Sequence, residues 1–389
     1  MTGSSATERW RDRVVDAGWV VGWPSFAMVC SLWLIPAWLG KSSWHVPGDV
    51  WSLVRAARAV SAGALGYMYE AGPFTGLPLC PMLMAPFVAF GDAHRFTEAF
   101  PTKTPEPTMW LLVAPVGTIL GASTLLTGPR LLKSLGGRVG HDLAAGALRP
   151  VLAVLSLGPI FLWAHFEDGL ALGLLLGGLA IHARGRAARG ALWIGIAICA
   201  KQWAAVAVPF VVLGAPPGDR RRALAAALVP PAILAGFVLA VDWAHASSNL
   251  LSPPVYGHLG RVSPWAGSGA SASAMRSGTL VVAVVAALLT RQRAPDVRVA
   301  ALGVCMALRT FVELALFPYY LAPALAVLLV ASVRTGRFYL TVGSGAIATT
   351  LFWVGKGEVW WWPAECAAVA ATTVPAMLVA LRTDASSQI

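Results

Sequence analysis

Apolar residues run in blocks of roughly 15–22 along nearly the whole chain, broken by short polar stretches rich in arginine. No block alternates with the two-residue period of a barrel strand, and lipid cannot satisfy free backbone groups, so the blocks predict membrane-spanning helices. The expected spans are 18–39, 108–127, 146–164, 168–183, 223–242, 277–291, 297–313, 317–333, 338–354 and 361–381. The block 190–214 is different. Arginines flank both ends (Arg189 before, Arg220 to Arg222 after), while Lys201 sits in the middle with Pro209 beyond it. A broken hairpin with Lys201 near its tip satisfies both facts. Counting it as two passes predicts an all-α polytopic bundle of about 12 crossings with both termini inside.

The polar intervals complete the plan. Residues 1–17 and 382–389 are expected as cytoplasmic tails around one transmembrane domain, 18–381. Two long intervals, 40–107 and 243–276, fall on the outer side. Within the first, DVWSLVRAARAV has helical apolar spacing with Arg55 and Arg58 on another face, the pattern of a helix lying along the interface. LPLCPMLMAPFVAF at 77–90 is apolar, short and carries three prolines. It is expected to be juxtamembrane or re-entrant, with a crossing as the alternative.

Composition agrees. Hydrophobic residues make up 57% and charged residues 12%, against about 25% charged in soluble proteins. The net charge of +11 does not indicate nucleic acid, because the basic residues cluster between apolar blocks: Arg9/Arg11/Arg13, Arg130/Lys133/Arg138, Arg184/Arg186/Arg189, Arg220/Arg221/Arg222, Arg291/Arg293/Arg298 and Arg334/Arg337. Segments expected inside hold about two thirds of the 29 Lys and Arg but well under half of the 18 acids, as the positive-inside rule requires. The five cysteines (Cys30, Cys80, Cys199, Cys305, Cys366) are scattered, without metal-ligand spacing or a disulfide framework. The N-terminus shows no cleavable signal pattern.

The acids and histidines left on the outer side are the candidates for chemistry. Asp49 is the first acid after the first span, accompanied by Trp44, His45, Arg55, Tyr69 and Glu70. His165-Phe166-Glu167-Asp168 form the turn between two spans, Lys201-Gln202 the hairpin tip, and Arg309 and Glu313 precede Tyr319-Tyr320. The loop 243–276 adds Asp242, His245, Tyr256, His258 and Arg261. A carboxylate can take a proton from an attacking hydroxyl, cations can hold a phosphate, and aromatic rings can stack on sugar faces or sit at headgroup level. Together they suit transfer from a phosphate-linked donor. Each also has a bland reading. Asp49 could be a solvated charge, and the HFED turn could cap a helix. Lys201 could snorkel, Arg309 and Glu313 could pair with each other, His258 could be an ordinary loop residue, and Trp360 to Trp362 could form an interfacial belt.

Three stretches carry a family resemblance. GDVWSLVRAARAVSAGALGYMYEAG followed by LPLCPMLMAPF resembles a first-loop acid, amphipathic helix and proline-rich segment. HFEDGLALGLLLGGLAIHARGRAARGALWIGIAICAKQWAAVAVPFVVL resembles an outer polar turn, span, basic loop and lysine-containing hairpin. RTFVELALFPYYLAPALAVLL resembles a late Tyr-Tyr span entry. In this order they are similar to the GT-C superfamily of membrane glycosyltransferases, in the polyprenyl-phosphate-mannose branch that includes the mycobacterial phosphatidylinositol-mannoside mannosyltransferases.

The resemblance implies an inverting transferase that moves a sugar, mannose first, from a polyprenyl-phosphate donor to a glycolipid or glycan hydroxyl. The site would face the outer side of an actinobacterial-type plasma membrane. Asp49 inherits the general-base role. Arg55, Tyr69, His165, Glu167, Asp168, Lys201, His258, Arg261, Arg309, Tyr319 and Tyr320 are expected around donor and acceptor. No cofactor is implied; a divalent metal is not indicated, and the single acid, with no paired-acid motif present, leaves metal dependence open. The hairpin reads Lys-Gln-Trp where many relatives have Lys-Pro, and the turn reads His-Phe-Glu-Asp where many have Gly-Gln or His-Pro, which leaves the donor sugar and acceptor open. An arabinosyl-type transferase is an alternative, as is a flippase for lipid-linked sugars. A flippase predicts paired broken helices, and the chain shows one broken hairpin and no internal repeat.

Overall fold

The computed structural model describes residues 14–19, 22, 47, 49–70, 76–94, 107–136, 143–251, 269–310, 318–334, 336–354, 367 and 370. Every regular element among them is helical. In chain order the α-helices are α1 Val50–Ser61, α2 Gly66–Glu70, α3 Leu79–Ala93, α4 Pro107–Ser134, α5 Leu143–Trp163, α6 Phe166–Ala183 and α7 Ala187–Ala200. They continue with α8 Val208–Leu213, α9 Arg220–Val241, α10 Trp243–Leu251, α11 Gly269–Thr290, α12 Pro295–Arg309, α13 Ala322–Arg334 and α14 Phe338–Val354. Among the described residues three 3-10 turns, Gln202–Ala207, Pro217–Asp219 and Pro318–Leu321, precede α8, α9 and α13.

Among the described residues, four stretches are long and apolar enough to cross a membrane: Leu112–Ser134, Leu143–Trp163, Phe166–Ala183 and Pro217–Val241. The last has a mean hydropathy of 2.3, yet only 11% of it is covered by the rest of the protein. Leu228, Val229, Ile233 and Phe237 on α9 face outward. Water would penalise so much bare apolar surface, whereas hydrocarbon is its natural solvent. The chain is an all-α membrane protein. The expected spans 18–39 and 361–381 lie outside the described residues, apart from isolated positions.

The centre of the bundle is the α4–α6 pair. Small residues let the two backbones approach. A Cβ on Gly169 would lie 2.9 Å from the Cα of Gly121, one on Gly117 would run into the Phe166 ring, and one on Gly173 into Ser123. This fit holds the start of α6 in place, and Phe166 is locked by stacking on Trp110 at 5.9 Å between ring centroids. Around this pair, α7 packs on α6, α9 on α7, and α13 on α12, α5 and α4.

The segment after α6 is a hairpin, as the charge pattern predicts. His182, in the last turn of α6, lies against Gly190 near the start of α7 and against Gly214 just after α8. The middle of the segment meets the opposite end of α6, where Lys201 reaches Glu167. Its first arm, the 14 residues of α7, is about 21 Å long, short of a hydrocarbon core of about 30 Å.

At the end of the bundle carrying the start of α6, α1 lays its apolar face (Val50, Leu53, Val54, Ala57) on α3. Arg58 joins them by a fork to Asp92, both hydrogen bonds 2.7 Å. Helix α3 has 15 residues with Pro86 inside, about 22 Å, which fits the juxtamembrane reading better than a crossing. One expectation needs correcting. The interval 243–276 is not loop throughout, because α10 occupies its start and α11 begins at Gly269 rather than at 277. Ser and Ala in GASASAM lower the hydropathy there without opposing a helix.

Candidate functional site

Two neighbouring features position the site. The α5–α6 connection is two residues, Ala164 and His165. Ala164 has φ +62°, a left-handed conformation that costs an L-residue on the order of 1 kcal/mol. It turns the chain sharply, and His165 becomes the N-cap residue of α6. Across from it, α7 stops at Lys201, whose backbone is extended (φ −150°, ψ 124°) before the 3-10 turn. That break directs a lysine from inside an apolar segment toward the first turn of α6.

The result is a compact charged cluster. Lys201 Nζ donates to Glu167 Oε1 at 2.8 Å and lies 3.7 Å from Asp168 Oδ2. Trp203 Nε1, two residues on, donates to Asp168 Oδ1 at 2.7 Å. His165 Nδ1 lies 3.3 Å from both Glu167 Oε1 and Asp168 Oδ2, without the alignment of a good hydrogen bond to either. Its other nitrogen, Nε2, reaches Asp49 Oδ2 at 3.2 Å. Burial works against a charge on His165, but the carboxylates of Asp168, Asp49 and Glu167 outweigh it and raise its pKa well above the ordinary value. The imidazolium is therefore the favoured form, donating toward Asp49.

Exposure grades across the cluster. The Asp168 side chain is 7% exposed, Glu167 16%, Lys201 24% and Asp49 60%. The inner groups form a neutralised base, and Asp49 is the carboxylate that an incoming molecule can reach. The Tyr319 ring packs at a tilt against His165 at 4.3 Å and Trp163 at 5.0 Å, and edge-to-face against Tyr320 at 4.7 Å. Trp203, Arg309, Tyr320 and Met306 close around a crevice too narrow to admit a water molecule. Sequence-distant groups expected to act together thus meet: Asp49, His165, Glu167, Asp168, Lys201 and Tyr319 in one contact network, with Arg309 and Tyr320 bordering it.

Other expectations fall differently. Arg55 lies over the Trp51 ring, 4.2 Å from its centroid, because the two side chains are four apart on one helix. Tyr69 is buried in a separate apolar cluster with Met68, Ala59 and Val238, and donates to the carbonyl of Gly76. Both are placed away from the cluster. The HFED turn does not cap its helix by side-chain hydrogen bonding; its charges go to Lys201, Trp203 and Asp49. Lys201 is an ion-pair partner rather than a snorkelling chain. Asp242 and His245 pair with each other at 3.0 Å beside α2. His258, Arg261, Tyr256, Trp44, His45 and Glu313 lie outside the described residues, as does the Glu70 side chain.

Two residues were missed by sequence reasoning. Trp203 carried a usable signal: an indole N–H inside an apolar run needs an acceptor. The strained Ala164 carried none, since its sequence neighbours do not reveal its φ.

The expectation that metal is not indicated rested on the lack of paired acids. The fold does supply a pair: ligand atoms of His165, Glu167 and Asp168 lie within 4.8 Å of one another, a set able to hold a divalent ion. The Lys201 ammonium already lies against the same carboxylates and supplies positive charge there.

These features define a polytopic helical membrane protein with a buried acid–base network at one end of its bundle, exposed to solvent through one aspartate. No family model, curated protein or solved structure matches the chain.

Proposed function

We propose that this protein is an inverting glycosyltransferase that moves a sugar, mannose first among candidates, from a polyprenyl phosphate to a lipid or glycan hydroxyl at the outer face of a bacterial plasma membrane. The observation that carries the reading is the Asp49–His165 contact: an exposed carboxylate on an interfacial helix, oriented by a cationic imidazole that is itself anchored on buried charges.

In this reading Asp49 accepts the proton of the acceptor hydroxyl. The hydroxyl oxygen attacks the anomeric carbon on the face opposite the phosphate. A new C–O bond forms, the bond from carbon to phosphate oxygen breaks, and polyprenyl phosphate leaves with the electron pair. His165 fixes the orientation of Asp49. Lys201 holds Glu167 and Asp168, and Arg309 offers charge for the donor phosphate. Tyr320, half-buried and backed by the buried Tyr319, provides ring surface for a sugar. Asp49 is the N-cap residue of α1, an amphipathic helix suited to the membrane interface, where a lipid-borne donor can arrive laterally.

The test is transfer by the purified protein in lipid, with radiolabelled polyprenyl-phosphate-mannose and a lipid extract as acceptor. The expected result is transfer by wild type and a loss of at least about 100-fold in a folded Asp49→Asn variant. Transfer that survives the substitution removes Asp49 as the base. Absence of transfer with both mannosyl and arabinosyl donors overturns the assignment.

A further inference from the structure

The end of the bundle opposite the charged cluster holds a second unusual site. There the end of α6, the residue after α8 and the first turn of α12 converge. Arg298 Nη1 donates to the carbonyl of Gly214 at 3.2 Å, and a Cβ on Gly214 would touch both this guanidinium and His182 Nε2. Arg298 Nε and His182 Nδ1 are buried and make no hydrogen bond. The two residues line the same crevice, and the Arg298 Nε–H, a donor only, calls for an acceptor there. Among the described residues no carboxylate pairs with Arg298. Asp296, the acid nearest in sequence, accepts from the backbone N–H of Val297 instead.

The crevice that both side chains line is narrow and open, about 20 Å³ in its enclosed part, and walled by Leu135, Leu179, Phe210, Val211, Val299 and Leu302. Arg298 and His182 are thus the polar end of a mainly apolar surface groove. The surroundings add positive potential. Arg184, Arg186 and Arg189 follow α6, Arg220 to Arg222 open α9, and the N-terminus of α12 brings its helix dipole. A basic pocket between helices on the arginine-rich side of a membrane protein is chemically matched to an anionic lipid headgroup.

We infer that Arg298 and His182 form a binding site for one anionic glycerophospholipid, its phosphate held by the guanidinium and imidazole and an acyl chain laid along the apolar wall. The site is separate from the charged cluster, so it stands whether or not the protein transfers sugars. A lipid here would bridge α6, α8 and α12 and tie the hairpin end to the bundle.

Native mass spectrometry of the full-length protein in detergent, titrated with dioleoylphosphatidylglycerol or dioleoylphosphatidylcholine, tests this. Wild type should retain one phosphatidylglycerol in preference to phosphatidylcholine, with a rise in melting temperature. Arg298→Gln should weaken retention about tenfold, Arg298→Lys by less, since it keeps charge but loses the fork, and the exposed control Arg291→Gln should match wild type. Melting in phosphatidylcholine alone checks that each variant is folded. Equal retention of the two lipids, or unchanged retention in a folded Arg298→Gln protein, would overturn the proposal. Inorganic phosphate protecting as well as the lipid would assign the site to a free phosphate and equally overturn it.

Discussion

His165 Nε2 lies 3.2 Å from Asp49 Oδ2 across a sequence separation of 116 residues. This contact ties the start of the amphipathic helix α1 to the centre of the bundle. It makes one histidine the mediator between an exposed acid and two buried ones.

The pH dependence of stability follows from that position. His165 has its pKa raised in the folded protein because nearby carboxylates outweigh burial. A group with a raised folded pKa contributes stability that is fully present below its unfolded value, about 6.5, and is lost as pH rises through the folded value. The melting temperature of wild type should therefore fall relative to that of His165→Gln as pH increases above about 6.5. Parallel profiles for the two proteins would show that the pKa of His165 is not raised in the fold.

Lys201 is the cation for two buried acids. Lys201→Met leaves Glu167 and Asp168 without it and should destabilise the protein by roughly 3 kcal/mol, whereas Lys201→Met combined with Glu167→Gln should cost clearly less than the two single changes added. Denaturant titration in micelles measures both. Strict additivity would mean that the 2.8 Å contact carries no coupling.

Trp203 should be a positioning residue for the same acids. Its N–H to Asp168 is buried and charge-assisted, so Trp203→Phe, which keeps most of the ring, is expected to cost about 2 kcal/mol. If the cluster serves transfer, kcat should drop in this variant with KM little changed. A variant as stable and as active as wild type would reduce Trp203 to simple packing.

Glycines separate packing from flexibility. Gly173→Val drives a side chain into Ser123 on α4 and should destabilise by at least about 2 kcal/mol or prevent folding, while Gly146→Ala on α5, with open space around it, should be neutral or stabilising by up to about 1 kcal/mol. Ala164→Gly tests the opposite case. The strain at φ +62° should offset the usual penalty of about 1 kcal/mol for an Ala-to-Gly change. Melting temperatures of the three variants distinguish the effects, and a clear loss in Ala164→Gly would show that the turn is unstrained.

What could be read from the sequence was what depends on solvent preference and local spacing. Blocks such as LVPPAILAGFVLAV can be stable only as helices in hydrocarbon, and arginine-flanked ends with a central lysine require the 190–214 segment to fold back. Even the membership of the outer cluster was legible for Asp49, the HFED turn, Lys201 and Tyr319, because charges that survive in so apolar a chain are confined to a few places. The tertiary structure alone decided who pairs with whom. Arg55 goes to its own helix neighbour Trp51, Tyr69 to a side cluster, and Trp203 to Asp168. Those outcomes depend on distances of a few ångströms, set by how closely glycines let α4 approach α6 and by a left-handed turn at an alanine. Such geometry is a property of packed helices together, and no single stretch of sequence encodes it.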